Sequence, residues 1–149
     1  MKQIKCDLSD FGLQMMPAPR VQAYCYVPRI NLGRDIDFMI DTGASNTCLN
    51  GLYALGLQRY MRKDTISAST GIGGKCGYYT EDAILVFTDT KGQTVGFKLK
   101  LGIQRIRQFL WIKPRRTTLR LPCLLGRDVL SKWELRYNHR KKDITLIAP

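Results

Sequence analysis

The segment Phe38–Ser45 limits the possible folds of this chain more than any other part of the sequence. Three apolar residues, Phe38 to Ile40, predict a buried strand, and Asp41 follows them directly. A carboxylate at the end of a buried strand is costly unless a hydrogen bond or an ion pair compensates it. Gly43 permits a tight turn in which its amide approaches the carboxylate, and Thr42 adds a hydroxyl. We therefore expect Asp41 to lie at the mouth of a core.

Two later segments form a pattern with this one. Thr70-Gly71-Ile72-Gly73-Gly74 predicts a hairpin tip, because glycine adopts positive φ angles at little cost. Leu124 to Leu130 places Gly126-Arg127-Asp128 after an apolar pair. Together with Asp41-Thr42-Gly43-Ala44, they resemble the flap, the late Gly-Arg-Asp/Asn segment and the active-site signature of retropepsins. The resemblance to these retroviral-type, single-domain aspartic proteases covers roughly residues 20–149 and is strongest to prokaryotic members.

The resemblance implies an aspartic endopeptidase with an all-β, barrel-like acid-protease fold, a glycine-rich flap hairpin and one or two short helices. It implies that Asp41 is the catalytic acid, that Thr42 holds paired loops together and that Gly43 supports the site. The implied substrate-binding residues are Ala44, Ser45, Gly71, Ile72, Gly73 and Gly74. The implied structural residues near the site are Leu125, Gly126, Arg127 and Asp128.

One position departs from the family pattern. Family members often carry an acid at the position of Ser45, and that acid pairs with the arginine that Arg127 matches. With serine in this place no ion pair can form. We therefore expect Arg127 to bond to backbone carbonyls, to Asp128 or to another carboxylate.

The chain contains a single Asp-Thr-Gly in 149 residues, which is too short for a two-lobed protease. Peptide hydrolysis needs a base that activates water and an acid that protonates the leaving group. Two carboxylates about 3 Å apart do both by sharing one proton. We therefore expect a symmetric homodimer with one Asp41 from each chain, acting on an extended peptide or unfolded protein. In retroviral relatives the terminal strands form the dimer sheet, which implies that role for Asp143–Ile147.

Alternating polar and apolar residues predict many short strands and an all-β barrel-like domain. Asn50 is expected to cap a short helix over Gly51–Leu55, with Gly56 as its stop, and a second helix is expected from Arg127 to Trp133. Residues 1–18 are interpreted as an N-terminal arm with at most one strand, or a disordered tail, and residues 19–149 as one protease domain. The predicted strands are Val21–Val27, Arg34–Ile40, Thr47–Leu49, Ala83–Phe87, Val95–Leu101, Cys123–Leu125, Glu134–Tyr137 and Asp143–Ile147.

Composition narrows the function classes. The five cysteines are an odd number without a C-x-x-C pair, and His139 is the single histidine, so neither a metal site nor a cofactor is expected. The N-terminus lacks the apolar core of a signal peptide, and no apolar run reaches membrane-spanning length. We therefore expect a cytoplasmic protein with free thiols and no membrane partner.

The formal net charge of +12 leaves other functions open, since basic residues cluster at 105–120 and 139–142. The first alternative is a nucleic-acid-binding β-barrel, with nucleic acid as a secondary candidate rather than the main partner. The second is a catalytically silent, dimeric retropepsin-like interaction module. The third is a Cys-His hydrolase using His139, although that residue lies in a charged turn far in sequence from any cysteine motif.

Overall fold

A computed structural model describes residues 1–12, 16–63, 67–71, 74–106 and 121–149. Alternating burial and β-branched or aromatic side chains give these ranges a predominantly β structure. The helical segments are two 3₁₀ helices, Pro28–Ile30 and Gly51–Tyr60, and α1 (Arg127–Leu130). The strands are β1 (Lys2–Lys5), β2 (Asp7–Ser9), β3 (Ala18–Val27), β4 (Leu32–Ile40), β5 (Cys48–Leu49), β6 (Ser67–Gly71), β7 (Gly74–Thr88), β8 (Thr94–Gln104), β9 (Cys123–Leu125), β10 (Glu134–Asn138) and β11 (Asp143–Ala148).

The main sheet has eight strands in the order β2-β3-β4-β9-β5-β8-β7-β6. A further antiparallel pairing of β3 with β7 closes much of it onto itself. Inward-facing residues of β3, β4, β7 and β8 fill the interior, and Phe38, Leu85, Phe87 and Leu101 are fully buried. The predicted all-β, barrel-like architecture is therefore confirmed.

The second sheet contains three antiparallel strands in the order β1-β11-β10. Its central strand, β11, pairs with β1 from Lys2 to Lys5 and with β10 from Glu134 to Asn138. Both edges of β11 are thus occupied by strands of the same chain. The expectation that Asp143–Ile147 joins the strands of a partner does not hold for this arrangement.

The structure changes several element boundaries. Residues 1–18 contain two strands rather than at most one, and both pair with strands of the protease domain; a domain boundary after residue 18 remains a prediction. The 3₁₀ helix capped by Asn50 is kinked at Ala54, within the predicted range Gly51–Leu55, and a second 3₁₀ portion continues past Gly56 to Tyr60; α1 is shorter than predicted. The predicted strand Ala83–Phe87 is the second half of the longer β7. Most of the basic stretch 105–120 lies outside the described residues.

Candidate active site

Asp41 emerges where two parallel strands end side by side. β4 and β9 pair in parallel from Phe38 with Cys123 to Ile40 with Leu125. The Asp41 amide continues this ladder by donating to the Leu125 carbonyl oxygen at 3.1 Å. Because Phe38, Ile40 and Leu125 are buried, the backbone that carries Asp41 is fixed to the core, while the residue itself is half-buried.

The turn after Asp41 holds its carboxylate by a backbone hydrogen bond. The Gly43 amide donates to Asp41 Oδ1 at 2.8 Å, and the Ala44 amide donates to the Asp41 carbonyl oxygen at 3.2 Å. A Cβ at position 43 would lie 3.1 Å from Asp41 Oδ1, so glycine permits the close approach of its amide. Thr42 and Gly43 are exposed, which leaves this turn accessible to a ligand or a second chain.

The segment Gly126–Asp128 packs against the second half of the Asp41 loop. The amides of Arg127 and Asp128 donate to the carbonyl oxygens of Ala44 at 2.9 Å and Ser45 at 3.2 Å. A Cβ on Gly126 would lie 2.5 Å from the backbone carbon of Asn46, so the contact requires glycine. The structure therefore brings the Asp41 loop and the predicted late segment together.

Thr47 and Asp128 lock these two loops. The Asp128 carboxylate accepts hydrogen bonds from the Thr47 amide at 2.9 and 3.0 Å and from the Thr47 hydroxyl at 2.6 Å. The Thr47 hydroxyl oxygen also accepts from the Gly126 amide at 3.0 Å. Sequence reasoning missed this role of Thr47, which is fully buried. The sequence had indicated Asp128 only as a structural residue near the site and as one possible partner of Arg127.

The departure at Ser45 is accommodated by a neutral contact. The Arg127 guanidinium donates to Ser45 Oγ at 2.9 Å, so the two positions still meet although no ion pair forms. The sequence had suggested backbone carbonyls, Asp128 or another carboxylate as the partner of Arg127. The Asp128 carboxylate is instead bound by Thr47 and by the Val129 amide.

The glycine-rich segment forms a hairpin. β6 pairs antiparallel with the first part of β7, from Ser67 with Tyr78 to Gly71 with Gly74. Ile72 and Gly73, which were assigned to the hairpin tip, lie outside the described residues. The described contacts do not include one between Gly71 or Gly74 and the Asp41 loop.

Tyr78 and Cys48 connect the hairpin to the site. They share a side-chain hydrogen bond, which joins β7 to β5 just after the Asp41 loop. Burial raises the pKa of the Cys48 thiol to about 11, and the charges of Asp128 and Asp41 act in the same direction. This thiol therefore stays protonated near neutral pH and is not a thiolate nucleophile.

Glu81 ties the root of the hairpin to two other segments. It lies on β7 with only 2% of its surface exposed, and its carboxylate binds Arg29 through Nε at 2.8 Å and through Nη2. The Arg62 amide, shortly before β6, donates to Glu81 Oε1 at 3.1 Å. No local sequence pattern indicates this contact, because the partners lie far apart along the chain.

Neither a metal centre nor a Cys-His pair emerges from the described ranges. Within them, no group of three or more His, Cys, Asp or Glu residues could hold a metal ion. His139 Nδ1 bonds to the Tyr137 hydroxyl at 2.9 Å in the turn after β10. No helix among these residues has the length and apolar character needed to cross a bilayer.

A β-barrel that fixes one Asp-Thr-Gly turn against a Gly-Arg-Asp segment defines the acid-protease class. The family model described as "Retroviral aspartyl protease" matches residues 22–138, and the chain belongs to this family. The predicted retropepsin-like relationship is thereby confirmed, whereas the prokaryotic origin remains a prediction.

Two further comparisons were made. Among solved structures, the chain is similar to EIAV protease complexed with the inhibitor HBY-793, with 17% identity and a TM-score of 0.43. This similarity covers 83% of the present chain and 92% of the other chain. A comparison with curated proteins gave no match.

Proposed function

We propose that this protein is an aspartic endopeptidase that acts as a homodimer, with one Asp41 from each chain forming the catalytic dyad. The observation that carries the proposal is a single Asp-Thr-Gly turn, held by backbone hydrogen bonds at the end of β4 and β9. Membership of the retroviral aspartyl protease family supports the same chemistry. Because the chain has one such turn, the second carboxylate has to come from a second copy.

The contacts of Asp41 suit a carboxylate that shares a proton. Among the described residues, its side chain has one hydrogen bond, from Gly43 to Oδ1. That bond orients the group, while Oδ2 remains available to a water molecule or to the carboxyl of the second copy. One carboxylate then takes a proton from water as it attacks the peptide carbonyl, and the protonated partner supplies the proton that the leaving amine needs.

The substrate is a peptide or unfolded protein segment in an extended conformation. Ala44 and Ser45 would form one side of its binding cleft, and the hairpin with Gly71 and Gly74 would cover the other side. Backbone hydrogen bonds to an extended peptide provide affinity without restricting its sequence. Closure of the hairpin would exclude water from the reacting bond.

The decisive variant is Asp41→Asn, tested against an unstructured protein at mildly acidic pH. We expect loss of cleavage, because asparagine cannot act as a base. Asp35→Asn is the matched control: it makes the same change at an exposed position on β4, the strand that leads to Asp41. Cleavage by Asp41→Asn at the rate of the unchanged protein would refute the proposal.

A mixing experiment tests whether two chains share one site. Asp41→Asn protein is added in equal amount to the unchanged protein, and the subunits are allowed to exchange. If both copies of Asp41 are needed and pairing is random, activity falls to about one half, because half of the active chains then lie in mixed dimers. Unchanged activity after demonstrated subunit exchange would indicate a complete site within each chain.

A further inference from the structure

The Arg127 guanidinium is an exposed cation at the edge of the Asp41 loop. Its Nη2 donates to Ser45 Oγ at 2.9 Å, and both residues are exposed. The backbone of Arg127 is fixed in place, because its amide donates to the Ala44 carbonyl oxygen at 2.9 Å. A positive charge is therefore held beside Ala44 and Ser45, the part of the loop to which substrate binding was assigned.

No carboxylate of the described residues neutralises this charge. The ion pairs in the described ranges involve other cations and do not include Arg127. The adjacent carboxylate, that of Asp128, accepts hydrogen bonds from the Thr47 and Val129 amides instead. The single side-chain contact of Arg127 in these ranges is with the neutral hydroxyl of Ser45.

We propose that Arg127 selects substrates that carry an acidic side chain close to the cut bond and binds that carboxylate directly. The inference rests on the proposed function and adds a substrate preference to it. A guanidinium presents several N–H donors in one plane, and the bond to Ser45 occupies a single one of them. The others match a carboxylate, which accepts two parallel hydrogen bonds from such a group.

The position of Arg127 limits where the acidic side chain can lie. Ser45 follows Asp41 by four residues, and the Ala44 amide folds the loop back by donating to the Asp41 carbonyl oxygen at 3.2 Å. An extended peptide advances about 3.3 Å per residue, so the acid should lie within about four residues of the cut bond. Because the proposed homodimer has two copies of Arg127, one such position is expected on each side of the bond.

The preference from Arg127 differs from a general attraction by the basic protein. The formal net charge of +12 draws acidic segments toward the whole surface but does not distinguish one substrate position from the next. A contact inside a cleft from which the substrate displaces water is stronger than an exposed ion pair and acts at a defined position. We expect it to raise kcat/KM about tenfold for each acidic position.

Matched peptides test the proposal at about pH 6, where a glutamate side chain is ionised. Mass spectrometry first locates the sites that the full chain cuts in an unfolded protein. One site is then copied into peptide pairs that carry glutamate or glutamine at each position within about four residues of the cut bond. At one position on each side, kcat/KM should be about tenfold higher for glutamate, mainly through a lower KM, because the contact forms on binding.

Two variants remove the proposed contact in different ways. Arg127→Gln deletes the charge, and Ser45→Asp supplies a carboxylate from within the chain that occupies the guanidinium. Each should bring the ratio of kcat/KM for glutamate over glutamine close to one. Ser45→Asp leaves the side chain of Arg127 and its backbone bonds in place, so it tests the contact even if Arg127→Gln folds poorly.

Two control variants should keep the preference of the unchanged protein. Ser45→Ala removes the hydroxyl but leaves the cation of Arg127 without an internal acid. Lys100→Gln lowers the net charge by the same amount as Arg127→Gln, but Lys100 forms its exposed ion pair with Asp82 on β7 and β8. Both variants should retain a ratio of about ten.

Three results would overturn the role of Arg127. They are a ratio near one at every position for the unchanged protein, a high ratio that persists in both Arg127→Gln and Ser45→Asp, and an equal loss in Lys100→Gln, which would assign the preference to overall charge. Each leaves the proposed dyad standing, because the peptides are still cut by a chain that depends on Asp41. Cleavage that survives Asp41→Asn would instead overturn the proposed function, whatever the peptide ratios show.

Discussion

Among the polar interactions at the root of the hairpin, we expect the contact between Glu81 and Arg29 to contribute most to the free energy of unfolding. Glu81 is 2% exposed, whereas the Arg29 side chain is 44% exposed. Arg29→Met keeps the apolar stem but leaves the buried carboxylate without its main counter-charge. Breaking a buried pair in this way costs about 3–5 kcal/mol, and the nearby Arg62 places the expected loss near the lower end, at about 3 kcal/mol.

Removing the charge of Glu81 instead of that of Arg29 should reduce the free energy of unfolding less. In Glu81→Gln no buried charge remains, and the partly exposed Arg29 gains solvation from water. Loss of the charged hydrogen bonds is then expected to cost about 1–2 kcal/mol. Lys100→Met serves as the control, because its pair with Asp82 is exposed and is worth less than about 0.5 kcal/mol.

The pH dependence of the free energy of unfolding provides a second, independent test of the contact between Glu81 and Arg29. Burial raises the pKa of Glu81, but the hydrogen bonds from Arg29 and the Arg62 amide outweigh it, so the pKa of the folded protein lies below the usual value. The pair therefore stabilises the fold above the unfolded pKa of about 4.3, and its contribution is lost as the pH falls through the folded pKa. In Arg29→Met, burial remains and should raise this pKa above the unfolded value. The cost of that variant should then be largest at pH 7 and shrink toward a pH of about 4.5.

Urea unfolding at both pH values measures these differences, with fluorescence of the buried Trp133 as the signal. The double variant of Arg29 and Glu81 should be more stable than Arg29→Met alone, which gives a coupling energy. If Arg29→Met is no more destabilising than Glu81→Gln, or costs the same at both pH values, the assignment of Glu81 as a buried anion that depends on Arg29 is wrong.

Two further substitutions and one chemical modification test the packing around Asp41 and the core. Thr47→Val keeps the shape but removes the hydroxyl that bonds to Asp128 and to the Gly126 amide, so urea unfolding should show a loss of about 1–3 kcal/mol together with lower peptidase activity. Gly126→Ala forces a methyl group against the Asn46 backbone and should cost about 1–3 kcal/mol or more in the same assay, whereas unchanged stability would contradict the close contact. Burial raises the pKa of three thiols to about 12, so a thiol reagent should modify them only after denaturation, and rapid modification of the native protein would contradict their burial. These thiols belong to Cys6, Cys25 and Cys123.

The site was predictable from sequence to the extent that its chemistry depends on neighbouring residues. Asp41 follows an apolar strand, and the Gly43 amide that binds it lies two positions later. Thr47 could not be recognised in the same way, because its partner Asp128 is 81 residues away. A buried threonine has no distinctive local pattern, so only the folded chain shows what it does.

The length of β7 was missed for a related reason. The strand runs from Gly74 to Thr88, and its inward-facing positions include Glu81. A charged residue at an inward-facing position interrupts the apolar alternation, so the sequence indicated a strand that begins only at Ala83. The interruption is stabilised by Arg29, 52 residues away, which no local pattern can indicate.

The end of the 3₁₀ helix also depends on distant contacts. Gly56 was expected to end a short helix; the helix is interrupted by a kink at Ala54, and a second 3₁₀ portion then continues to Tyr60. The Gln58 side chain donates to the Gln104 carbonyl oxygen at 2.8 Å and accepts from the Ile106 amide at 3.0 Å. These bonds hold the last turn of the helix against β8 and offset the low helix propensity of glycine.

Hydrogen bonds within the chain shape the Asp41 loop, and this separates folding from assembly. Asp128, Thr47 and Gly126 bind the loop from within the chain, and buried residues of the same chain form one core cluster. If Asp41 forms the proposed dyad, a chain that folds in this way carries its half of the site before it meets a second copy. Under the proposed mechanism, dilution would reduce activity by separating two folded half-sites rather than by unfolding them. The affinity of the two chains for each other, rather than the stability of the barrel, would then determine how much active protease exists at a given concentration.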